Sequence, residues 1–375
     1  MTGHIAIIGN SMLNIGAVMA ADLTLGGEDT RLFLWPDQAE LAEEAAANGG
    51  LTLLEPRAQT QSGQTGLAAP RIVTGSPAEA VEGAALVVMD VTGDEVERRF
   101  RDLLPYLSDG QVVHVNTHGY WPSLRVAAML RKAGKFGVTL TEGVTPSIAA
   151  GREGAVITPH TLRQNVLAAA FPANRSEQAR VQLHRIFHSF EMARDVLHSN
   201  LSGMNFLIHP GIALVNIGYF DRAGSRGEKI SFYGTGNTEN AMRMTELLDA
   251  ERPGVAAQLD VPCPSVAEQV SKIYGLEHKP LGALVAEVPF YRDLPPLPAD
   301  VWKAWMRWDI PNAHVPFVLL AEALGQPAPL HRALVEIMDG LVGMSSWQDG
   351  VTLSRLGLEG MTADAMTRLV RTGQA

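Results

Sequence analysis

The hydrophobic pattern of this chain changes character near its middle. Up to about residue 190, short apolar runs alternate with helical patterns. The runs at 4–8, 31–35, 85–91, 111–116 and 136–141 have the length and continuity of strands buried on both faces. Between the first two, Leu13, Ile15, Met19, Ala20 and Leu23 recur at helical spacing until Gly26-Gly27 ends the pattern. Ser76-Pro77-Ala78-Glu79 reads as a capping box with proline at the first helical position. A helix to Arg131 follows the 111–116 run, 155–158 and 165–170 read as short strands, and Ser176 caps an amphipathic helix reaching Phe190. Strands alternating with helices predict a doubly wound parallel sheet, with ligands at the carboxyl ends of its strands. Beyond 190 the pattern is almost entirely helical. The expected fold class is therefore α/β: a Rossmann-type sheet domain over 1–190, then an all-α domain over 191–375.

One stretch of the second half stands apart. Residues 199–220 are mostly apolar and long enough for a helix that starts after Ser202, yet Asn205, His209 and Asn216 interrupt them. On a helix these three positions fall within about 40° of each other. A polar line on a buried helix costs free energy unless its members are paired. Two explanations remain open on the residues alone: a core helix with satisfied polar groups, or an imidazole held at a substrate cleft. Pro210, directly after His209, removes a backbone hydrogen bond and predicts a kink.

The first half carries a damaged nucleotide-binding pattern. The unit strand, turn, helix, strand at the N-terminus is where dinucleotide-binding domains usually begin. The turn reads Gly9-Asn10-Ser11-Met12-Leu13-Asn14-Ile15-Gly16 and lacks Gly-x-Gly-x-x-Gly. Asn10, Ser11 and Asn14 are the residues that could bind phosphate in its place. Asp90, Val91 and Thr92, and further on Thr117 and His118, end later strands, where a nicotinamide ring would lie. Asp37 follows the second strand. An acid there bonds a ribose 2′-hydroxyl and favours NAD over NADP, and no arginine follows it. A helix cap is the other reading of Asp37.

Composition narrows the partners. The 375 residues are 46% hydrophobic and 19% charged, with formal net charge −10 and pI about 5.6. That balance disfavours nucleic acid and acidic membranes, and small molecules are the expected partners. A single cysteine, Cys263, excludes an internal disulfide or a thiolate cluster. No metal-ligand spacing, P-loop or Gly-x-Ser-x-Gly is present. The N-terminus lacks signal-peptide features, and apolar windows carry polar breaks, so neither export nor a membrane span is expected and the cytoplasm is the default. A homodimer is compatible with these numbers.

The segment 302–317 is rich in tryptophan, with Arg307 and Asp309 beside Pro311 and Pro316. It reads as a loop entering a pocket. In Asp249-x-Glu251-Arg252 the charges read as helix-face ion pairs.

Taken together, the sequence resembles the opine (octopine/nopaline) dehydrogenase family. The likeness rests on Asn205-x-x-x-His209-Pro210 with Asn216-x-Gly218, Phe232-Tyr233 with Gly236 and Thr238, and Asp249-x-Glu251-Arg252. Asp309-Ile310-Pro311 with Leu324-Gly325, and Ala20-Ala21-Asp22-Leu23, extend it over most of the chain. The resemblance implies a Rossmann domain joined to a helical domain and reduction, with NADH or NADPH, of an imine formed from an amino acid and a 2-oxo acid. It implies His209 as general acid/base, Asp309 as its orienting partner, and Asn205 as a residue holding substrate or the histidine. His118 and Asn216 join Asn205 as candidate substrate contacts. The family commonly has an arginine five residues before the aspartate, binding the oxo-acid carboxylate. Here Ala304 stands there, so Arg307 takes that role by proximity, or the substrate differs. Trp302, Trp305 and Trp308 point to a bulkier or more apolar one. The alternatives are a dehydrogenase of the same architecture acting on a hydroxy compound without an amine, and a non-catalytic nucleotide-binding relative.

Overall fold

The structure is a computed structural model that describes the chain except for Met1, Thr2, Met12, residues 56–59, Ala375 and the side chain of Thr161. Met12, quoted above as part of the first turn, thus lies outside the described residues. The chain divides into two compact units. The first holds the chain up to His118, Pro122–Val196 and Val370–Gly373; the second holds Gly119–Trp121 and Leu197–Leu369. The main passage falls between Val196 and Leu197, against a division after residue 190 expected from the pattern.

In the first unit the chain runs β1 (Ile5–Ile8), α1 (Ile15–Leu25), β2 (Thr30–Phe33), α2 (Ala39–Asn48), β3 (Leu51–Leu53), β4 (Gly66–Ala68), β5 (Ile72–Thr74) and α3 (Pro77–Val81). It continues through β6 (Leu86–Asp90), α4 (Val96–Leu103), β7 (Val112–Asn116), α5 (Pro122–Lys132), β8 (Thr139–Gly143), β9 (Ile148–Glu153), β10 (Val156–Leu162), β11 (Val166–Phe171), α6 (Ser176–Ile186) and β12 (Phe190–Met192). The main sheet has the order β12-β11-β8-β7-β6-β1-β2-β5. From β5 to β8 every pairing is parallel. In chain order those six strands run 3-2-1-4-5-6, the dinucleotide-binding arrangement. The switch point lies between β1 and β6, the place where sheets of this kind generally bind ligands. Ile5 to Ile8 and Leu86 to Met89 are wholly buried, the cause of their unbroken apolar runs.

Two features depart from the expectation. β11 pairs antiparallel with β8, so the sheet is not parallel throughout. A second sheet, β4-β3-β10-β9, takes up the 155–158 strand. Its three-residue members β3 and β4 are too short for a periodic signal.

The second unit is helical apart from a two-residue antiparallel ladder, Lys229–Ile230 with Leu297–Pro298. Its elements of interest are α7 (Val196–Leu201), α8 (Asn205–Ser225), α9 (Glu239–Asp249), α10 (Arg252–Gln258), α11 (Val266–Tyr274), α12 (Leu281–Glu287), α13 (Pro289–Asp293), α14 (Val301–Asp309), α15 (Val315–Ala323) and α16 (Pro329–Val342). α8 packs on α9 and α14. By length and composition Val196–Ser225 could cross a membrane, but 78% of its apolar window is buried inside the protein. Its hydrophobicity is that of a core helix.

Residues 302–317 are not a loop. α14 passes through a π-helical turn, Ile310–His314, directly into α15. The wider turn accommodates Pro311, and such turns concentrate at functional sites.

Candidate active site

Pro210 organises the surroundings of His209. Having no N–H, it cannot bond the carbonyl of Phe206 four residues back. His314, in the π-helical turn, supplies the missing donor: its Nε2 lies 2.6 Å from the Phe206 oxygen. Its Nδ1 meets Nδ1 of His331 at 2.9 Å, and Nε2 of His331 meets the carbonyl of Leu248 at 3.0 Å. Burial lowers His314 to about 4 and His331 well below the usual imidazole value, which disfavours the charged form of each ring. The helix break thus fastens α8 to the segment that begins with Asp309.

Asp309 closes α14 and is fully buried. Nδ1 of His209 lies 2.9 Å from Asp309 Oδ2. A carboxylate only accepts, so Nδ1 carries the proton and Nε2 presents its lone pair. Nε2 in turn accepts from the Tyr233 hydroxyl at 2.8 Å. The other carboxylate oxygen, Oδ1, accepts from the Tyr120 hydroxyl at 2.6 Å. Tyr120, Asp309, His209 and Tyr233 therefore form one hydrogen-bonded chain with its tautomer set. The predicted pair is brought together, and two tyrosines join it that sequence reasoning missed. Tyr233 stood in the quoted motif but suggested no chemistry. Tyr120 gave no sequence signal at all. Its φ of 72° and the 57° of Trp121 are left-handed conformations, uncommon and costly for bulky residues. The Asp309 bond and the Trp121 amide, which donates to Asn200 Oδ1 at 2.8 Å, hold that strained bend.

An aromatic wall surrounds the imidazole. Trp305 stacks on His209 at 4.8 Å between centroids, Phe232 meets Trp305 edge-on at 4.7 Å, and Tyr233 stacks on Tyr291 at 4.0 Å. Trp302 is core and nearly inaccessible. Of the three tryptophans only Trp305 reaches the ring.

The other substrate candidates diverge. Asn205 is the first residue of α8, buried, one turn before His209 on the same face. Asn216 donates to the carbonyls of Ile212 at 2.9 Å and Gly236 at 3.0 Å, which spends both amide hydrogens on backbone. Arg307 is exposed, lies two positions from Asp309 and so on another side of α14, and donates to the Val342 carbonyl at 2.9 Å. It is not brought to the His209–Asp309 pair. His118 is half-buried and Thr117 buried in the bend after β7.

The motif charges also prove internal. Arg252 is fully buried and donates to the carbonyls of Leu201, Gly203 and Pro264 while pairing with Asp249. It fixes the chain entering α8. Glu251 accepts from the amides of Leu330 and His331 at the start of α16. Asp22 accepts from the amides of Gln61 and Ser62. None of these is an exposed helix-face pair.

The β1–α1 turn keeps the two glycines it needs. Gly9 has φ +83°, and a Cβ on Gly16 would collide with the Gly9 carbonyl oxygen, so the close approach of α1 to β1 requires glycine. Between them the chain is hydrogen-bonded to itself. Asn10 Oδ1 accepts from the Ala17 amide at 3.0 Å, Asn10 Nδ2 donates to Asn14 Oδ1, and Gln38 holds both backbone groups of Asn10. Asn14, left-handed at φ 52°, donates to the Ala150 carbonyl. Asp90 Oδ2 accepts from the amides of Ser11 at 2.6 Å and Gly16 at 2.8 Å. Amides at a helix start holding a carboxylate mark this turn as an anion cradle, the chemistry a dinucleotide pyrophosphate requires. Val91 is buried, and Thr92 bonds Asp94 and Glu95.

Asp37 is exposed and bonds Nη2 of Arg99 at 2.6 Å, which holds its carboxyl below the usual range. Arg99 comes from α4 and lies 4.5 Å over the Trp35 ring. An arginine therefore does stand at this strand end, delivered by the fold rather than by the following sequence.

Comparison with known proteins places this architecture. The likeness is to NAD(P)-dependent oxidoreductases. Residues 192–342 match the α-helical domain of the NAD/NADP octopine/nopaline dehydrogenases. It is 26% identical to the opine dehydrogenase of Arthrobacter sp. (strain 1C) over 352 residues, 93% of this chain and 94% of that protein. Octopine dehydrogenase solved with NADH and L-arginine superposes with a TM-score of 0.73 at 17% identity, covering 100% of this chain and 98% of that one. Yersinopine dehydrogenase with NADP+ gives 0.67 at 15% identity, covering 99% and 98%.

Proposed function

We propose that this enzyme reductively condenses an amine, or the amine of an amino acid, with a 2-oxo acid, with His209 as general acid/base. The observation that carries the reading is the buried His209–Asp309 pair, with its base nitrogen already engaged by a hydroxyl. Imine formation needs a proton removed from the attacking amine and a proton delivered to the departing hydroxyl. Nε2 of His209 is the atom suited to both transfers, and Asp309 stabilises the imidazolium between them. The Tyr233 hydroxyl, on Nε2, stands where a reacting group would exchange its proton. The nicotinamide, when bound, supplies the hydride, and the β1–α1 turn is the part of this chain that would hold its pyrophosphate.

The substrate reading follows from the wall. With Ala304 where relatives carry arginine and Trp305, Phe232, Tyr233 and Tyr291 grouped at the imidazole, an apolar amino acid or amine is favoured over a charged one. We also propose NADH over NADPH. Arg99 pairs with Asp37 and Glu95, and Arg98 with Glu95, so neither guanidinium is offered to a 2′-phosphate.

The test is NADH oxidation across a panel of amines and 2-oxo acids. Turnover that requires both partners and favours apolar amines is expected. Oxidation of a simple alcohol with no amine would move the enzyme to the hydroxy-acid class, and absence of NADH and NADPH binding by calorimetry would remove the catalytic reading.

A further inference from the structure

We propose that Asp90 is an internal competitor for the dinucleotide's pyrophosphate, so that cofactor binding must displace or neutralise a carboxylate already seated in the anion cradle. The inference rests on the cofactor reading above.

Three observations carry it. The carboxylate lies at the end of β6, at the switch point of the sheet, and its Oδ2 takes the amides of Ser11 and Gly16 at 2.6 and 2.8 Å. Those donors belong to the turn and helix start that would meet a pyrophosphate. Asp90 is 2% exposed, and its second oxygen, Oδ1, has no hydrogen-bond partner among the described residues. A buried carboxylate with one oxygen unanswered is poorly settled as a purely structural tie. Finally, the turn has lost the middle glycine of the usual pattern, the one that lets phosphate approach the backbone.

A pyrophosphate and an ionised carboxylate on the same amides repel each other in a place where water screens little. Burial accordingly raises Asp90 to about 6, against the opposing pull of the Ser11 and Gly16 bonds. No charged side chain contributes. The groups acting on it are the Ser11 and Gly16 amides and the Ser11 hydroxyl of the turn, and Asn116 is its register partner on β7. Protonation at Asp90 would remove the competing charge.

The experiment measures binding, not turnover. ADP-ribose, which carries the pyrophosphate, is titrated calorimetrically into the wild type and Asp90→Asn at pH 8, with adenosine as the phosphate-free probe. Asn keeps an acceptor oxygen for the two amides and removes the charge. The expected result is ADP-ribose binding about tenfold tighter in the variant, with adenosine unchanged. In the wild type alone, ADP-ribose should bind more tightly as pH falls from 8 to 5.5, which tests the idea even if the variant folds poorly. Equal or weaker ADP-ribose binding by a folded D90N, or a wild-type affinity indifferent to pH, overturns the proposal while the cofactor reading stands. No binding of ADP-ribose, NADH or NADPH by either protein overturns both.

Discussion

The surroundings of His209 and the β1–α1 turn both bury a carboxylate, and they use it in opposite ways. Asp309 has both oxygens occupied, by His209 and the Tyr120 hydroxyl, and its charge serves the imidazole. Asp90 has one oxygen occupied and one unanswered among the described residues, and its charge lies in the turn proposed to hold the cofactor's pyrophosphate. A satisfied buried charge orients chemistry, whereas a half-satisfied one remains responsive to pH and ligand.

The largest effect expected from breaking this contrast is at His209. His209→Ala should lower kcat/KM by about 10²–10⁴-fold and leave NADH affinity unchanged. Unchanged turnover would remove the imidazole from the mechanism. Asp309→Asn keeps the shape but loses the charge that fixes the tautomer, and a fall of about 10²-fold in kcat is expected in steady-state assays. At Asp90 the readout is stability. Its folded-state pKa of about 6 lies above the unfolded carboxyl value of about 3.9. The folded form therefore holds the proton more tightly, so this contribution is full below about pH 3.9 and is lost as pH rises through 6. Between pH 4 and pH 8 the wild type should lose about 2–3 kcal/mol relative to Asp90→Asn in denaturant titrations, and parallel curves for the two proteins would refute this.

Smaller effects sharpen the picture. Tyr120→Phe removes one hydrogen bond from Asp309, and kcat should drop about tenfold, with an altered pH profile and unchanged KM for NADH. An effect confined to thermal stability would make Tyr120 merely structural. Arg307→Ala, the smallest, should change the KM for the 2-oxo acid less than about twofold, because the side chain leaves α14 on another side from Asp309, towards the Val342 carbonyl.

How legible each region was in sequence follows from how local its determinants are. The polar line Asn205, His209, Asn216 shows on one helix because its period is intrinsic to the helix. Pairing His209 with Asp309, a hundred residues on, came only through family likeness. The sheet was readable because buried parallel strands are continuous apolar runs, while the three-residue strands of the second sheet carry too few positions for a pattern. The turn looked merely damaged. Its self-bonding depends on Asp90 and Gln38, which only the strand order β2-β1-β6 brings to it. Arg99 reached Asp37 by the same route, and the proline-rich 302–317 segment stayed helical because a π turn absorbs its prolines.

The indole lying on His209 gives this enzyme an optical indicator of its own. A ligand that takes the place of Tyr233 on Nε2 should change the surroundings of the Trp305 face, and with them that ring's emission among the six tryptophans of the chain. Arrival of a group at the imidazole can then be followed by light, and Trp305→Phe supplies the blank.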